Sequence, residues 1–176
     1  FGYSVSMNSD GTKVIVGARY EDTGGSNAGS AYIFAYDGSS WSQEAKIQAS
    51  DPEANDSFGN SVSMNSDGTK VLVGAPYEDT GASNAGSAYI FALSGGSWSQ
   101  EAKIQASGVR AANDYFGYSV SLSGDGTKVI VGGDGAASGT NPGAAYIYTR
   151  DTTHHLTTDL KLQSNTWHNL TYAYQG

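Results

Sequence analysis

The chain repeats a fifty-residue segment almost without change, and this repetition limits its possible folds more than any other feature. Residues 1–50 return as residues 58–107, and a looser third copy opens at Phe116. The period is therefore 57 to 58 residues, since 58 − 1 = 57 and 116 − 58 = 58. The first two copies differ at seven positions, which are Tyr3/Asn60, Ile15/Leu72, Arg19/Pro76, Gly25/Ala82, Tyr36/Leu93, Asp37/Ser94 and Ser39/Gly96. Repeats of about this length are typical of solenoids, propellers and arrays of modules.

Composition excludes several classes of protein. The 176 residues include 24 glycines, only three prolines and no cysteine, which indicates ordered β-structure with many turns and excludes disulfides and cysteine-ligated metals. The net charge of −8 argues against a nucleic-acid partner, because such proteins neutralise phosphates with Lys and Arg. No apolar run approaches the ~20 residues that cross a bilayer, so we expect no membrane span in this segment.

Each repeat is predicted to form four short strands. In the first copy, residues 3–8 alternate apolar and polar side chains, and residues 13–18 and 31–36 are apolar on both faces. Residues 41–49 form a fourth strand with one polar face, as expected of an edge strand. The Asp10-Gly11 pair between the first two strands is a strong hairpin signal, because Gly adopts positive φ.

Strands that are apolar on both faces predict the blades of a propeller, because neighbouring blades cover both sides of each inner strand. We therefore predict an all-β fold, a β-propeller fragment of three four-stranded antiparallel blades that form an open arc. The predicted blades are residues 1–57, 58–115 and 116–164. Propellers use ~4 to 8 blades, so further blades are expected to close the ring.

The same residues resemble a known family. Phe1-Gly2 followed by Val16-Gly17-Ala18, and Phe58-Gly59 followed by Val73-Gly74-Ala75-Pro76, resemble the FG-GAP repeat. That repeat builds the β-propeller of integrin α-subunits and occurs in many surface proteins. The resemblance implies an extracellular or cell-surface location and a role in adhesion or recognition.

Integrin-type repeats carry a calcium loop in the first hairpin, and the resemblance implies metal ligands here that are degenerate. The first aspartate of the family pattern is replaced by Ser6, Ser63 and Ser121, and a lysine follows each loop. One carboxylate beside a lysine suits Ca²⁺ poorly. We therefore expect plain turns and no cofactor, with Ca²⁺ kept as the alternative. The candidate ligands are Asn8, Asp10, Asn65, Asp67 and Asp125.

Blade topology places the loops between strands two and three, and the linkers between blades, at one end of the molecule. These segments are rich in acids, whereas the six lysines lie in strands two and four. We expect an acidic, tyrosine-bearing face there that binds a protein or glycan; the alternative is that the charge only keeps the protein soluble. The candidate partner-binding residues are Tyr20, Glu21, Asp22, Asp51, Glu53, Asp56, Tyr77, Glu78, Asp79 and Asp114.

An enzymatic function is not expected. The first strand of each repeat lines the channel of a propeller, and it offers Ser4, Val5, Ser6 and Met7 or their copies, without a carboxylate or histidine. All three histidines follow residue 150. A serine–histidine–aspartate set therefore has no predicted geometry.

The last residues, 165–176, do not begin a fourth copy. The run Thr166-Trp167-His168 with Leu170, Tyr172, Tyr174 and Gly176 resembles a strand of laminin-G-like or concanavalin-like sandwich domains. That resemblance implies the start of a lectin-like module. The alternative is a degenerate extra strand of the propeller.

Three functions are therefore open. The first is a non-enzymatic adhesion or recognition module that binds through the acidic loops. The second is a passive spacer that presents a neighbouring lectin-like or catalytic domain. The third is a calcium-stabilised propeller of the integrin type.

Overall fold

The computed structural model describes residues 1–107, 110–135, 143–150 and 156–162. These ranges contain no helix, and therefore none that is long and apolar enough to cross a membrane. Their strands are β1 (Ser4–Met7), β2 (Lys13–Ala18), β3 (Ser30–Tyr36), β4 (Trp41–Ile47), β5 (Ser61–Met64), β6 (Lys70–Ala75), β7 (Ser87–Ser94), β8 (Ser97–Ile104), β9 (Phe116–Leu122), β10 (Lys128–Gly133), β11 (Ala144–Arg150) and β12 (Leu156–Leu162).

Every four consecutive strands form one antiparallel sheet in chain order, so that the sheets are β1–β4, β5–β8 and β9–β12. We call these sheets blades 1, 2 and 3. No sheet closes into a barrel within the described ranges. The predicted all-β fold and the open arc of three four-stranded blades are confirmed. The fourth strand of blade 3 is present as β12, where Leu160 lies opposite Ile147 of β11.

The first hairpin of each blade is a turn stabilised by its own aspartate. In blade 1, Gly11 has φ of 73° and follows Asp10, whose carboxylate accepts hydrogen bonds from the Thr12 N–H at 2.9 Å and the Thr12 hydroxyl at 2.6 Å. The side chain of Asp10 therefore holds the turn that the Gly conformation permits. Blade 2 repeats the arrangement with Asp67 and Thr69.

The inner strands divide their side chains between two interfaces. Val71 and Val73 of β6 pack in a cluster shared with blade 1, while Leu72 packs in a second cluster shared with blade 3. All three are fully buried. The core therefore lies between the blades rather than inside any one of them, as the two-sided apolar pattern predicts.

The Phe-Gly and Val-Gly-Ala segments make the closest contacts between blades. Gly29 and Phe58 form a parallel bridge, and the buried Phe58 ring packs against Tyr89 at 5.5 Å between centroids. A Cβ on Gly17 would collide with the carbonyl oxygen of Gly59, which itself has φ of 87°. Both glycines are required because the backbones of blades 1 and 2 meet at this point.

Serines of the first strands connect neighbouring blades. The Ser4 hydroxyl donates to the carbonyl of Gly59 at 2.9 Å, and Ser61 donates to Gly117 at 2.8 Å. The Ser6 hydroxyl accepts the Met64 N–H at 3.0 Å. The short strands β1 and β5 are therefore held by polar contacts to the next blade as well as by their own sheet.

Candidate functional site

We call the end of the blades that carries loops 19–29 and 76–86 and the linkers between blades the loop end. The hairpins β1–β2 and β3–β4, with their copies, lie at the opposite hairpin end. The two loops are built alike: Asp22 accepts the Asn27 N–H at 2.8 Å, and Asp79 accepts the Asn84 N–H at 2.7 Å. Both asparagines have positive φ, which Asn tolerates better than most residues.

The first acid of each loop points inward. Glu78 is buried and accepts hydrogen bonds from Ser87 at 2.6 Å, Lys103 at 2.9 Å and the Thr80 hydroxyl. Burial opposes its ionisation, but these hydrogen bonds outweigh burial and lower the pKa of Glu78. Glu21 is the half-buried equivalent in blade 1, where burial is likewise outweighed by donors from Ser30, Thr23 and Lys46 and the pKa falls to about 2.

Lys103 links the loop of blade 2 to the preceding linker. Its ammonium group pairs with Glu78 at 2.9 Å and with Asp51 at 2.7 Å, and lies 5.6 Å from the centre of the Tyr89 ring. The Tyr89 hydroxyl donates to Asp51 at 3.2 Å. The lysines lie in the second and fourth strands, as the sequence predicts, but the long side chains of Lys46 and Lys103 reach the acids of the loop end.

Two further acids stabilise the linkers. Asp56 is buried and accepts the Glu53 N–H at 2.8 Å, while Asp114 accepts the Ala111 N–H at 2.8 Å. Burial and the nearby carboxylates, of which Glu78 is the strongest, raise the pKa of Asp56 to about 6. Asp56 and Glu78 are both among the candidate partner-binding residues, and in the structure both are buried and accept hydrogen bonds from within the protein.

Among the described residues, the exposed acids of the loop end are Asp22, Asp51, Glu53, Asp79 and Asp134. Asp51 is also paired with Lys103. Fewer acids are therefore exposed at the loop end than the sequence predicts, and some of the exposed ones are held by hydrogen bonds or by an ion pair.

Tyrosines cover the part of the loop end where the first strands begin. Tyr20 is 60% exposed and Tyr3 is 54% exposed, and their rings lie 6.5 Å apart, edge to face. The guanidinium of Arg19 lies 4.3 Å from the Tyr3 ring and 4.4 Å from the Tyr20 ring. Tyr20 is among the candidate partner-binding residues predicted from the sequence, whereas Tyr3 and Arg19 are not.

Asn60 extends this group across the blades. Its carboxamide oxygen accepts from Arg19 at 2.7 Å, and its amide nitrogen donates to the carbonyl of Tyr118 at 3.1 Å. Tyr118 of blade 3 is 43% exposed. We call Tyr3, Arg19, Tyr20, Asn60 and Tyr118 the tyrosine surface. One signal could have found it, because Tyr3/Asn60 and Arg19/Pro76 are among the seven differences between the copies.

Tyr77, another candidate partner-binding residue, is half-buried. It corresponds to Tyr20, but blade 2 has Asn60 in place of Tyr3. Tyr77 packs instead against Tyr115, edge to face at 5.4 Å between centroids.

The candidate calcium ligands lie at the hairpin end and make hydrogen bonds to their own turns. Hydrogen bonds from Thr12 lower the pKa of Asp10, and donors from Ser123 and Thr127 lower that of Asp125 to about 2. The carboxamide oxygens of Asn8 and Asn65 accept the Lys13 and Lys70 N–H groups. Within the described ranges, no three His, Cys, Asp or Glu side chains lie close enough to hold a metal.

The blade architecture and the repeated interface define the class of the chain, a β-propeller-like repeat protein. The FG-GAP repeat family matches residues 1–34, 41–91 and 98–148. The chain therefore belongs to the FG-GAP repeat family. The matches end before residues 165–176, which lie outside the described residues, so the predicted lectin-like module gains no support.

Solved structures share the fold. Sqt1 of Saccharomyces cerevisiae is 10% identical with a TM-score of 0.56, over 92% of this chain and 35% of that one. The periplasmic gluconolactonase PpgL of Pseudomonas aeruginosa is 18% identical with a TM-score of 0.53, over 84% of this chain and 39% of that one. The chain thus spans well under half the length of either structure. A search of curated proteins found no match.

Proposed function

We propose that the chain is a non-enzymatic recognition module of a secreted or cell-surface protein, and that it binds a protein or glycan partner through the loop end. The observation that carries this proposal is the tyrosine surface, where the side chains of three tyrosines are 43–60% exposed. Tyr and Arg are enriched at recognition sites because they offer a large apolar area together with hydrogen-bonding groups. The secreted or surface location rests on the resemblance to integrin α-subunits.

The rigidity of the loop end supports a binding role. Lys103 fixes a loop to a linker, and Asp22 and Asp79 fix each loop internally. A surface that is ordered before binding loses less conformational entropy on contact with a partner. The same contacts explain why several acids are unavailable to a partner.

The use of the first-strand serines supports the non-enzymatic part of the proposal. Ser4, Ser6 and Ser61 are engaged in contacts with the next blade. A nucleophilic serine needs an adjacent base instead. The likeness to a gluconolactonase concerns the fold, at 18% identity, and carries no activity to this chain.

Two alternatives make different predictions. A passive spacer would show no binding of its own, because its surface would only need to be soluble. A calcium-stabilised propeller would gain stability from Ca²⁺ at the hairpin end.

The test is a binding assay against immobilised extracellular-matrix proteins and against neutral and sulfated polysaccharides. We expect saturable binding of the chain to at least one of these, and a loss of about tenfold in affinity for Tyr20→Ala. The control is Tyr36→Leu, which removes an exposed tyrosine at the hairpin end and introduces the residue that blade 2 has there. Absence of any binding would favour the hypothesis of a passive spacer. Equal affinity of Tyr20→Ala and the unmodified chain would exclude the loop end as the binding site.

A further inference from the structure

The two outer faces of the described arc match the two halves of an interface that the chain forms twice within itself. At each internal interface, one blade contributes an isoleucine or leucine of its second strand, and the next blade contributes an apolar group at its first strand. We call the first kind of surface the trailing face of a blade and the second kind its leading face. The residues are Ile15 with Phe58, Val62 and Met64 between blades 1 and 2, and Leu72 with Phe116, Val120 and Leu122 between blades 2 and 3.

The leading face of blade 1 is exposed. Phe1, Val5 and Met7 are 77%, 69% and 56% exposed, whereas the identical residues of blade 2 are at most 9% exposed. A contiguous exposed apolar patch of this kind marks an interaction site. Blade 1 therefore presents the same side chains that blade 2 buries against another blade.

The trailing face of blade 3 is its exposed counterpart at the other end of the arc. Ile130 is 39% exposed, whereas Ile15 and Leu72 at the equivalent positions are 0% exposed. Ile147 lies opposite Ile130 in the sheet and is half-buried, as is Leu162 of β12. Among the described residues, no further blade covers this face. It therefore presents the apolar side chains that the leading face of another blade would contact.

The polar groups of the interface are also present on both outer faces. In the internal interfaces, the first serine of the first strand donates to a glycine carbonyl of the next blade, and the second serine accepts a backbone N–H from it. The equivalent serines of blade 3 are Ser119 and Ser121, and both are exposed. The equivalent groups on blade 1 are the carbonyl of Gly2 and the N–H of Met7. The two outer faces are thus complementary in hydrogen bonding as well as in apolar surface.

The glycines that allow two blades to approach closely occur on both faces. A Cβ on Gly74 would lie 2.0 Å from the carbonyl oxygen of Gly117, so this trailing position requires glycine. The same position in blade 3 is Gly132, where the three atoms nearest to a Cβ belong to blade 3 itself. On the leading side, Gly2 has φ of 81°, close to the 93° of Gly117. Both outer backbones therefore already have the form that the internal interfaces use.

We infer that a second copy of this chain covers the leading face of blade 1 with the trailing face of its own blade 3. The second copy is the occupant that the structure supports, because the chain carries both halves of the contact and forms that contact twice within the described ranges. Head-to-tail contacts of this kind continue until a ring closes. Two copies supply six blades, which is within the ~4 to 8 blades that propellers use.

The strength of this association is set by two opposing effects. Burial of the apolar faces favours it, and the net charge of −8 on each copy opposes it. Association therefore depends on protein concentration, and at about 1 µM the chain is a monomer in which the leading face of blade 1 is uncovered. The loop end stays accessible in the assembly, since Tyr118 lies beside a covered leading face and is still 43% exposed.

The experiment is sedimentation velocity of the folded chain from about 1 µM to about 200 µM, at about 0.15 M and about 0.5 M NaCl. We expect a monomer at the lowest concentration and an assembly of two or more copies at the highest. The higher salt concentration should strengthen the association, because it screens the repulsion between the copies.

Two variants test which faces meet. Val5→Lys places a charge on the leading face of blade 1, and Ile130→Lys places one on the trailing face of blade 3. Each variant alone should associate at least about tenfold more weakly than the unmodified chain. An equimolar mixture should form a one-to-one complex that is tighter than either variant forms with itself, because each variant supplies the face that the other lacks. Ser26→Lys is the matched control, since it adds the same charge at an exposed position of the loop end.

Four results would overturn the inference. They are a monomer at every concentration, undiminished association of Ile130→Lys, a mixture of the two variants that associates no better than each alone, and an equal loss in Ser26→Lys. Undiminished association of Ile130→Lys together with loss in Val5→Lys would place blade 1 against blade 1 instead. Circular dichroism checks that each variant is folded, and complex formation in the mixture would show independently that both variants keep a working face.

Discussion

Blades 1 and 2 have nearly the same sequence but very different surroundings. Phe58 is 1% exposed, whereas its counterpart Phe1 is 77% exposed; Val62 is 9% exposed and its counterpart Val5 is 69% exposed. Blade 2 has a neighbour on each face, while the described structure places a neighbour on only one face of blade 1. Identical residues therefore contribute differently to stability, because in this architecture the core forms between blades. The difference gives each residue of blade 2 a matched control within the same chain.

The largest expected difference concerns the two phenylalanines. Phe58→Ala should lower the free energy of unfolding by about 3–5 kcal/mol, because it leaves a cavity beside Tyr89 and Phe91. Phe1→Ala should cost less than about 1 kcal/mol, because Phe1 only covers Tyr32 and Phe34 from the solvent side. Urea unfolding followed by tryptophan fluorescence measures both. Equal losses would show that the uncovered face of blade 1 is occupied in solution.

The fold was predictable from the sequence because the apolar pattern of the strands and the turn signals recur in each blade. The segment Lys13–Ala18 is apolar on both sides, which requires a covered strand on both faces, and the Asp10-Gly11 turn sets the hairpin before it. The tyrosine surface was not predictable in the same way. Arg19 reaches Asn60 across 41 positions, and no local pattern indicates that contact. The burial of Glu78 also depends on Lys103, 25 residues away, and the acidic loop was for that reason interpreted as an open surface.

A second difference concerns the lysines that reach the loop end. Lys103→Met should destabilise the protein by about 2–3 kcal/mol, because it leaves the buried Glu78 without its ammonium partner. Lys46→Met should cost less than about 1 kcal/mol, because its partner Glu21 is more exposed.

The pKa of Glu78 is lowered in the folded state, so its stabilisation is present above the ordinary pKa of a glutamate and is lost as the pH falls through the folded value. Urea unfolding of each variant at neutral and acidic pH measures both effects. A loss for Lys103→Met that does not shrink in acid would contradict the assignment.

A third, smaller effect should appear at Asp56. Its pKa is raised from the ordinary 3.8 to about 6, so the folded state binds the proton more tightly and stability falls as the pH rises through this window. Asp56→Asn should remove this pH dependence and add about 1–2 kcal/mol at neutral pH, since the amide oxygen can still accept the Glu53 N–H. Asp114→Asn is the control, because Asp114 makes the equivalent contact in a less buried position. Thermal unfolding across this pH range would show the change, and a less stable Asp56→Asn at neutral pH would refute it.

The smallest expected effect is that of calcium, which should leave the stability of both copies nearly unchanged. Asp10 and Asp67 hold the same exposed turn whether or not the blade face beside them is covered, and each accepts hydrogen bonds from its own threonine. A site with a Kd of ~0.1 mM would add about 1.8 kcal/mol at ~2 mM Ca²⁺, so even weak binding to the folded state is measurable. We expect the melting temperature in EDTA and in millimolar Ca²⁺ to agree within about 1 °C, since a rise of 1 kcal/mol already shifts it by several degrees. A rise that disappears in Asp10→Ala/Asp67→Ala would instead establish a metal site at the hairpin end. A rise abolished by Asp67→Ala alone would show that the site needs a covered blade, and would extend the difference between the two copies from packing to ligand binding.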